Sequence, residues 1–269
     1  MTAKQYLDSV LSELQITAKK SLGQNFLVSD HVIDKIIQRA KIFDAQKLIE
    51  IGPGPGALTR YLKDFSSEFQ VIELDRVLAE YWRSKGLQVI EEDALQLDWS
   101  KIVVSPRTLL VSNLPYQISS SLVIERSLDS QRLMGMVLMF QKEVAQRIKA
   151  TPDQSGYGML SVIAQTFWKV DLLLEASSHD FLPPPKVASR VLVFQRLEGD
   201  LPEARAYLKW VKAAFLHPRK LLASNMAEAN SRISKSQVSD WLQQKGFSEK
   251  ARPGELFVKD YIDFFQSFQ

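Results

Sequence analysis

The sequence predicts an α/β chain: a mostly parallel sheet covered by helices, a late antiparallel hairpin, and then a small all-helical C-terminal domain. Three observations predict it. Short apolar runs recur at residues 48–51, 69–73, 87–90, 108–112 and 136–140, separated by stretches of helical periodicity. The first run leads straight into a glycine-rich turn, Gly52-Pro53-Gly54-Pro55-Gly56, that opens a helix. Beyond a turn-rich break at Glu198-Gly199-Asp200-Leu201-Pro202 only helical patterns remain.

The elements follow in order. Residues 2–14 read as a short amphipathic helix. Residues 17–27 mix Lys19, Lys20, Gly23, Gln24 and Asn25 with the apolar Phe26 and Leu27; they have no period and are expected to form a loop. Val32, Ile33, Ile36, Ile37 and Ala40 mark the next helix, with Ser29 and Asp30 as candidate caps. Helices at 77–85, 119–128, 142–149 and 158–167 then alternate with the strands. Strands this uniformly apolar are buried on both faces, which is the habit of parallel sheets, and such sheets bind ligands outside their carboxyl ends. Runs 171–174 and 190–195 are expected to pair as an antiparallel hairpin at the sheet edge. The boundary is placed between 199 and 200, giving domains 1–199 and 200–269, the second with helices at 204–215, 219–229, 236–245 and 258–268.

Composition narrows the functional classes. At 269 residues, 45% apolar and 24% charged, the chain is of ordinary globular type. No apolar run reaches membrane-spanning length and the N-terminus lacks a signal-peptide pattern, so a cytoplasmic protein without a membrane partner is expected. Without cysteine there is no thiolate metal site or disulfide, and His31, His179 and His217 are far apart in sequence, so no metal is expected. Residues 200–269 hold eleven Lys/Arg against eight Asp/Glu, which accounts for the whole net charge of +3. That mild basic bias permits nucleic-acid contact at this end of the chain.

The glycine turn carries the first chemical reading. Three glycines at alternate positions allow a sharp turn and a close approach of backbone to ligand. Pro53 and Pro55 lack an N–H, so the turn is poorly equipped to cradle a pyrophosphate. It suits a nucleoside ligand without one, and S-adenosylmethionine is the common ligand of that kind. Residues at the following strand ends would face the same cleft. Glu50 precedes the turn. Glu73, at the end of the second run, suits two hydrogen bonds from ribose hydroxyls. Asp93 follows the third run and could accept from an adenine amino group, with Glu91 and Glu92 beside it as alternatives.

Asn113-Leu114-Pro115-Tyr116, at the end of the fourth run, is the most diagnostic piece. The exocyclic nitrogen of adenine is a poor nucleophile because its lone pair is delocalised into the ring. The Asn113 amide oxygen and a backbone carbonyl at Leu114 or Pro115 could each accept one of its N–H bonds and aim the lone pair at a methyl group. Tyr116 offers a face on which a base can stack.

These stretches together resemble the ribosomal RNA adenine N6-dimethyltransferases. The likeness runs from Lys19 to about Lys220 through Lys20-Ser21-Leu22-Gly23-Gln24-Asn25-Phe26-Leu27, Glu50-Ile51-Gly52-Pro53-Gly54-Pro55-Gly56, Val71-Ile72-Glu73-Leu74-Asp75, Asn113-Leu114-Pro115-Tyr116 and Phe181-Leu182-Pro183-Pro184-Pro185-Lys186-Val187. The resemblance implies a Rossmann-like S-adenosylmethionine-dependent methyltransferase fold. It implies that Asn25 and Leu27 contact the cofactor, Gly52 its methionine end, Glu73 its ribose and Asp93 its adenine. Asn113 would sit at the reacting centre and Phe181 would wall the base pocket opposite Tyr116. Gln117 stands where the family usually has Asn, and His217-Pro218 interrupts a run that tends to be more basic.

The expected activity is dimethylation at N6 of two adjacent adenosines near the 3′ end of 16S ribosomal RNA. The substrate would be the immature small subunit, the enzyme a monomer and S-adenosylhomocysteine the product, with a part in ribosome biogenesis. Lys19, Lys20, Lys186, Arg219 and Lys220 are the cations expected nearest the RNA, and the helical domain would help seat the enzyme. Two rivals stand beside this reading: an assembly or transcription factor that kept the cofactor pocket, and a methylase of large-subunit RNA.

Overall fold

The computed structural model describes residues 1–19, 23–103, 105–128, 133–152 and 154–269. In chain order the elements are α1 (Ala3–Leu14), β1 (Phe26–Leu27), α2 (Asp30–Ile42), β2 (Lys47–Ile51), α3 (Thr59–Leu62), β3 (Glu68–Ile72), α4 (Arg76–Ser84), β4 (Gln88–Ile90), α5 (Trp99–Ile102), β5 (Thr108–Asn113), α6 (Ser119–Leu128), β6 (Leu133–Gln141), α7 (Lys142–Lys149), α8 (Met159–Phe167), β7 (Trp168–Ala176), β8 (Phe181–Leu182), β9 (Ser189–Arg196), α9 (Ala204–Ala214), α10 (Leu222–Ala229), α11 (Lys235–Gln244) and α12 (Val258–Ser267). No helix among the described residues is long and apolar enough to cross a membrane.

Seven strands form one sheet in the order β4-β3-β2-β5-β6-β9-β7. The first five are mutually parallel, and β9 runs antiparallel to β6. This is the expected Rossmann-like α/β sheet with its late antiparallel strands. Its parallel strands are buried because helices cover them; Ile49, Val71, Leu110, Val111 and Leu138 are essentially inaccessible. The strand order reverses between β2 and β5, so the crevice at their carboxyl ends is the natural binding position. The glycine turn leaves β2 there.

A second, two-stranded sheet was not legible in the sequence. β1 pairs antiparallel with β8, matching Phe26 to Leu182 and Leu27 to Phe181. The Val28 N–H extends the ladder to the Asp180 carbonyl at 2.8 Å. The segment carrying Asn25 is thereby stitched to the one carrying Phe181.

The chain divides into two compact units, Met1–Ala145 with Lys169–Arg196, and Gln146–Trp168 with Leu197–Gln269. The second therefore takes in a segment that the sequence reading left with the sheet. The apolar helix α8 explains this: Leu160, Val162, Ile163, Ala164 and Phe167 are all buried, so it has no solvent face to reveal its partner. Within this unit the Thr166 hydroxyl donates to Tyr207 Oη at 3.1 Å, and Phe215 stacks on Tyr261 with ring centroids 5.6 Å apart.

Some helix starts are capped by a side chain and others are not. Asp75 caps α4 by accepting from the Val77 N–H at 3.1 Å. Ser29 precedes α2 without a side-chain cap bond, and Asp30 uses its carboxylate to accept from the Ala3 N–H instead, at 2.9 Å.

Candidate active site

The site is built from the glycine turn outward. Gly52, Gly54 and Gly56 all have left-handed φ, at 60°, 54° and 101°. At Gly56 the demand is steric as well, because a Cβ would come within 2.5 Å of the Trp82 ring. The Trp82 indole N–H donates to the Gly54 carbonyl at 2.8 Å, so α4 pins the turn from behind. On its other side the Gly54 N–H donates to Glu73 Oε2 at 3.2 Å, while the Asp75 N–H donates to Glu73 Oε1 at 2.9 Å.

Glu73 is 6% exposed, and burial pushes its carboxyl up, partly offset by those two backbone N–H groups. Each carboxylate oxygen keeps a further lone pair for a ligand. Below it lies Glu50, which the sequence reading placed in the cleft without a role. Glu50 is 2% exposed, and its Oε2 has no hydrogen-bond partner among the described residues. Burial pushes its carboxyl up to about 8; the Thr59 hydroxyl opposes this and the Glu73 charge adds to it. A neutral acid therefore sits beneath the turn at neutral pH.

These groups border a cavity of about 340 Å³, within the range of small-ligand sites. Asn25, Leu27, Gly52, Glu73, Asp93, Asn113, Leu114, Pro115 and Tyr116 all line it, so nine of the residues singled out in the sequence meet there. Asp93 stands at the β4 end, its Oδ1 accepting from the Leu95 N–H at 2.9 Å.

Asn113, the last residue of β5, donates from Nδ2 to the Asn25 carbonyl at 3.1 Å. That bond fixes the amide and leaves Oδ1 as its accepting end. The Pro115 carbonyl accepts from the Ile118 N–H at 3.2 Å, closing the short 3-10 turn that holds Tyr116. The Tyr116 hydroxyl lies 2.8 Å from Ser189 Oγ, and burial pushes its phenol up.

Phe181 is the site candidate that does not join the others. It does not line the cavity, is 3% exposed, and packs in the core with Leu27, Ile33, Ile36 and Val191. Its pairing with Leu27 in the small sheet holds it there. Among the cations, Lys19 is bound to the buried Asp75 at 2.7 Å, and Lys20 lies outside the described residues. Lys186 and Arg219 are exposed, and Lys220 donates to Glu228 at 3.2 Å.

Comparison with known proteins decides among the readings of this site. The sequence model of the family described as "Ribosomal RNA adenine dimethylase" matches residues 15–269. The chain belongs to the ribosomal RNA adenine dimethylase family. It is accordingly an RNA methyltransferase. Ribosomal RNA small subunit methyltransferase A of Bdellovibrio bacteriovorus is 50% identical to it over 268 residues, covering 99% of this chain and 98% of that one. The protein of the same name from Syntrophotalea carbinolica is 36% identical, over 93% of this chain and 97% of that one. In fold the dimethylase resembles a dimethyladenosine transferase from Plasmodium falciparum, with a TM-score of 0.74, 24% identity, and coverage of 90% and 97%. It also resembles the 23S rRNA methyltransferase ErmE, with a TM-score of 0.67, 23% identity, and coverage of 90% and 98%.

Proposed function

We propose that this chain dimethylates N6 of two adjacent adenosines in a hairpin loop near the 3′ end of 16S ribosomal RNA, within the immature small subunit, as a step of subunit biogenesis. S-adenosylmethionine would be the methyl donor and S-adenosylhomocysteine the product. The names of the relatives at 50% and 36% identity support the small-subunit substrate. The observation that carries the chemistry is Asn113, anchored by Nδ2 to Asn25 on the same cavity as Glu73.

The donor set suits this cofactor. Glu73 has lone pairs left for ribose hydroxyls, Asp93 can accept from an adenine amino group, and the left-handed glycines let backbone approach the ligand. Asn25, Leu27 and Gly52 would wall the rest. When bound, S-adenosylmethionine supplies an electrophilic methyl group.

The chain's own work is on the adenine. Asn113 Oδ1 accepts one N6–H. The Pro115 carbonyl accepts from Ile118 and keeps a second lone pair, so a backbone carbonyl at Leu114 or Pro115 accepts the other. Two acceptors turn the N6 lone pair out of conjugation with the ring and toward the donor, an arrangement most favourable as the nitrogen becomes tetrahedral. Tyr116 presents the stacking face for a base that must leave its own stack to enter. The methylated nitrogen is acidic and sheds its proton without a side-chain base. Lys19, Lys186, Arg219 and Lys220 would bind phosphates, the last two from the helical unit.

The test is incubation with labelled S-adenosylmethionine and small subunits lacking the modification, followed by nucleoside analysis. Label is expected in N6,N6-dimethyladenosine. A protein that binds the particle and deposits no label there would end this reading.

A further inference from the structure

Helix α1 has no part in the chemistry at Asn113. The family match begins at residue 15, and Ala3–Leu14 lies entirely ahead of it. Yet Ala3, Tyr6 and Leu7 line the cavity. Several tethers hold the helix there. The Ala3 N–H donates to Asp30 Oδ1 at 2.9 Å, and Glu13 pairs with Lys85 at 3.1 Å. The Tyr6 phenol lies beside that of Tyr81, and Arg60 Cζ lies 4.7 Å from the Tyr6 ring centroid.

The Arg60, Tyr81 and Lys85 tethers lead back to the ligand-binding frame. Arg60 sits in α3, immediately after the glycine turn. Tyr81 is on α4, next to the Trp82 that bonds the Gly54 carbonyl, and Lys85 ends that helix. A Cβ at Gly56 would lie 3.3 Å from the Tyr6 hydroxyl and would also meet Trp82, so the phenol end reaches the last glycine of the turn beside Trp82. Burial pushes that phenol up to about 12, so it is a neutral hydroxyl throughout the working pH range.

We propose that α1 completes the cofactor site, with the Tyr6 ring closing the cavity over the glycine turn against the amino-acid end of S-adenosylmethionine. This rests on the reading above that the cavity takes this cofactor with its methionine end at the turn. The ring contributes an apolar wall and excludes water from that end. Because α1 is tied to α3 and α4, a ligand that orders the turn also favours the docked helix, and a docked helix favours the ligand.

Calorimetry on the full chain with S-adenosylmethionine and 5′-methylthioadenosine tests it; the second ligand keeps the nucleoside and lacks the amino acid. Wild-type affinity for S-adenosylmethionine is measured first, and its absence would sink the reading of the site itself rather than the role of the helix. Given wild-type binding, Tyr6→Ala is expected to weaken S-adenosylmethionine at least about tenfold and methylthioadenosine less than about twofold. Tyr6→Phe, which keeps the ring, should bind S-adenosylmethionine within about threefold of wild type. Should Tyr6→Ala fail to fold, wild-type hydrogen exchange decides: saturating S-adenosylmethionine is expected to slow the α1 amides at least about fivefold. Unchanged binding by Tyr6→Ala, equal losses for both ligands, or α1 amides indifferent to the cofactor would each overturn the proposal.

Discussion

The side-chain amide of Asn113 is bonded through Nδ2 to the backbone carbonyl of Asn25, 3.1 Å away and 88 residues earlier in the chain. The end of the central strand β5 is thus locked to the N-terminal loop, and the amide oxygen is left to accept. Loss of that acceptor should fall on the rate rather than on RNA binding. Asn113→Ala is expected to cut single-turnover methylation by at least about a hundredfold, near 2.7 kcal/mol, at saturating S-adenosylmethionine. Near wild-type dimethylation by this variant would refute the proposed chemistry.

Glu73 should govern cofactor affinity. Charge-assisted hydrogen bonds contribute roughly 1.5–3 kcal/mol each, so Glu73→Ala is expected to weaken S-adenosylmethionine binding at least tenfold in a protein that remains folded. Glu73→Gln is no milder a change. Its amide nitrogen would face the N–H of either Gly54 or Asp75, both of which now donate to the carboxylate. Calorimetry beside a melting curve separates lost affinity from lost structure.

Glu50 should make the ligand-free protein less stable as pH rises. Its carboxyl is pushed up to about 8 from an ordinary value of 4.5, mainly by burial. Between those values the folded state holds a proton that the unfolded chain has released, so stability falls with increasing pH and levels off above the folded value. The contribution is fully present below pH about 4.5 and lost through pH about 8. Glu50→Gln, which mimics the protonated form, should therefore match wild type in melting temperature near pH 5 and exceed it near pH 8. Parallel melting curves across that interval would show that Glu50 is ionised throughout.

How far the sequence discloses this molecule depends on the range of the interaction. The parallel strands were legible because each is a short apolar run: 48–51 became Lys47–Ile51, and 108–112 became Thr108–Asn113. The cavity residues on strand ends were legible because a parallel sheet fixes where strand ends point. The β1–β8 pairing was not, since two residues on each side carry no periodicity. That omission also concealed the burial of Phe181, whose ring the small sheet places against Leu27. Helix α1 was legible as a helix; its seat on the cavity depends on Asp30, Arg60, Tyr81 and Lys85, which no local pattern links to it.

Tyr116 carries two separable contributions. Its ring would stack on the target base, worth about 1–3 kcal/mol, so Tyr116→Ala should lower the methylation rate. Its hydroxyl is bonded to Ser189, a residue with no solvent exposure. Tyr116→Phe keeps the ring and should hold the rate within a few-fold, while leaving the Ser189 hydroxyl unpaired at about 1–3 kcal/mol of stability. Adding Ser189→Ala to Tyr116→Phe should restore most of that loss. Three variants and two readouts decide it, and a rate that follows the hydroxyl instead of the ring would remove stacking from the account.

The helical unit's share of RNA binding can be read from salt dependence. Arg219 and Lys220 follow the His217-Pro218 turn, and Glu228 already accepts from Lys220 and lies 2.9 Å from His217 Nε2. Part of the local positive charge is therefore met within the protein, and Arg219 is the cation most available to a phosphate. Removing one cation–phosphate pair should flatten the plot of log affinity against log salt by about 0.7–0.9 units. Arg219→Gln alone is expected to produce most of one such step, and adding Lys220→Gln to contribute less, because that lysine must first leave Glu228. The reverse order would assign the phosphate to Lys220, and a slope indifferent to both would take this turn out of the RNA-binding surface.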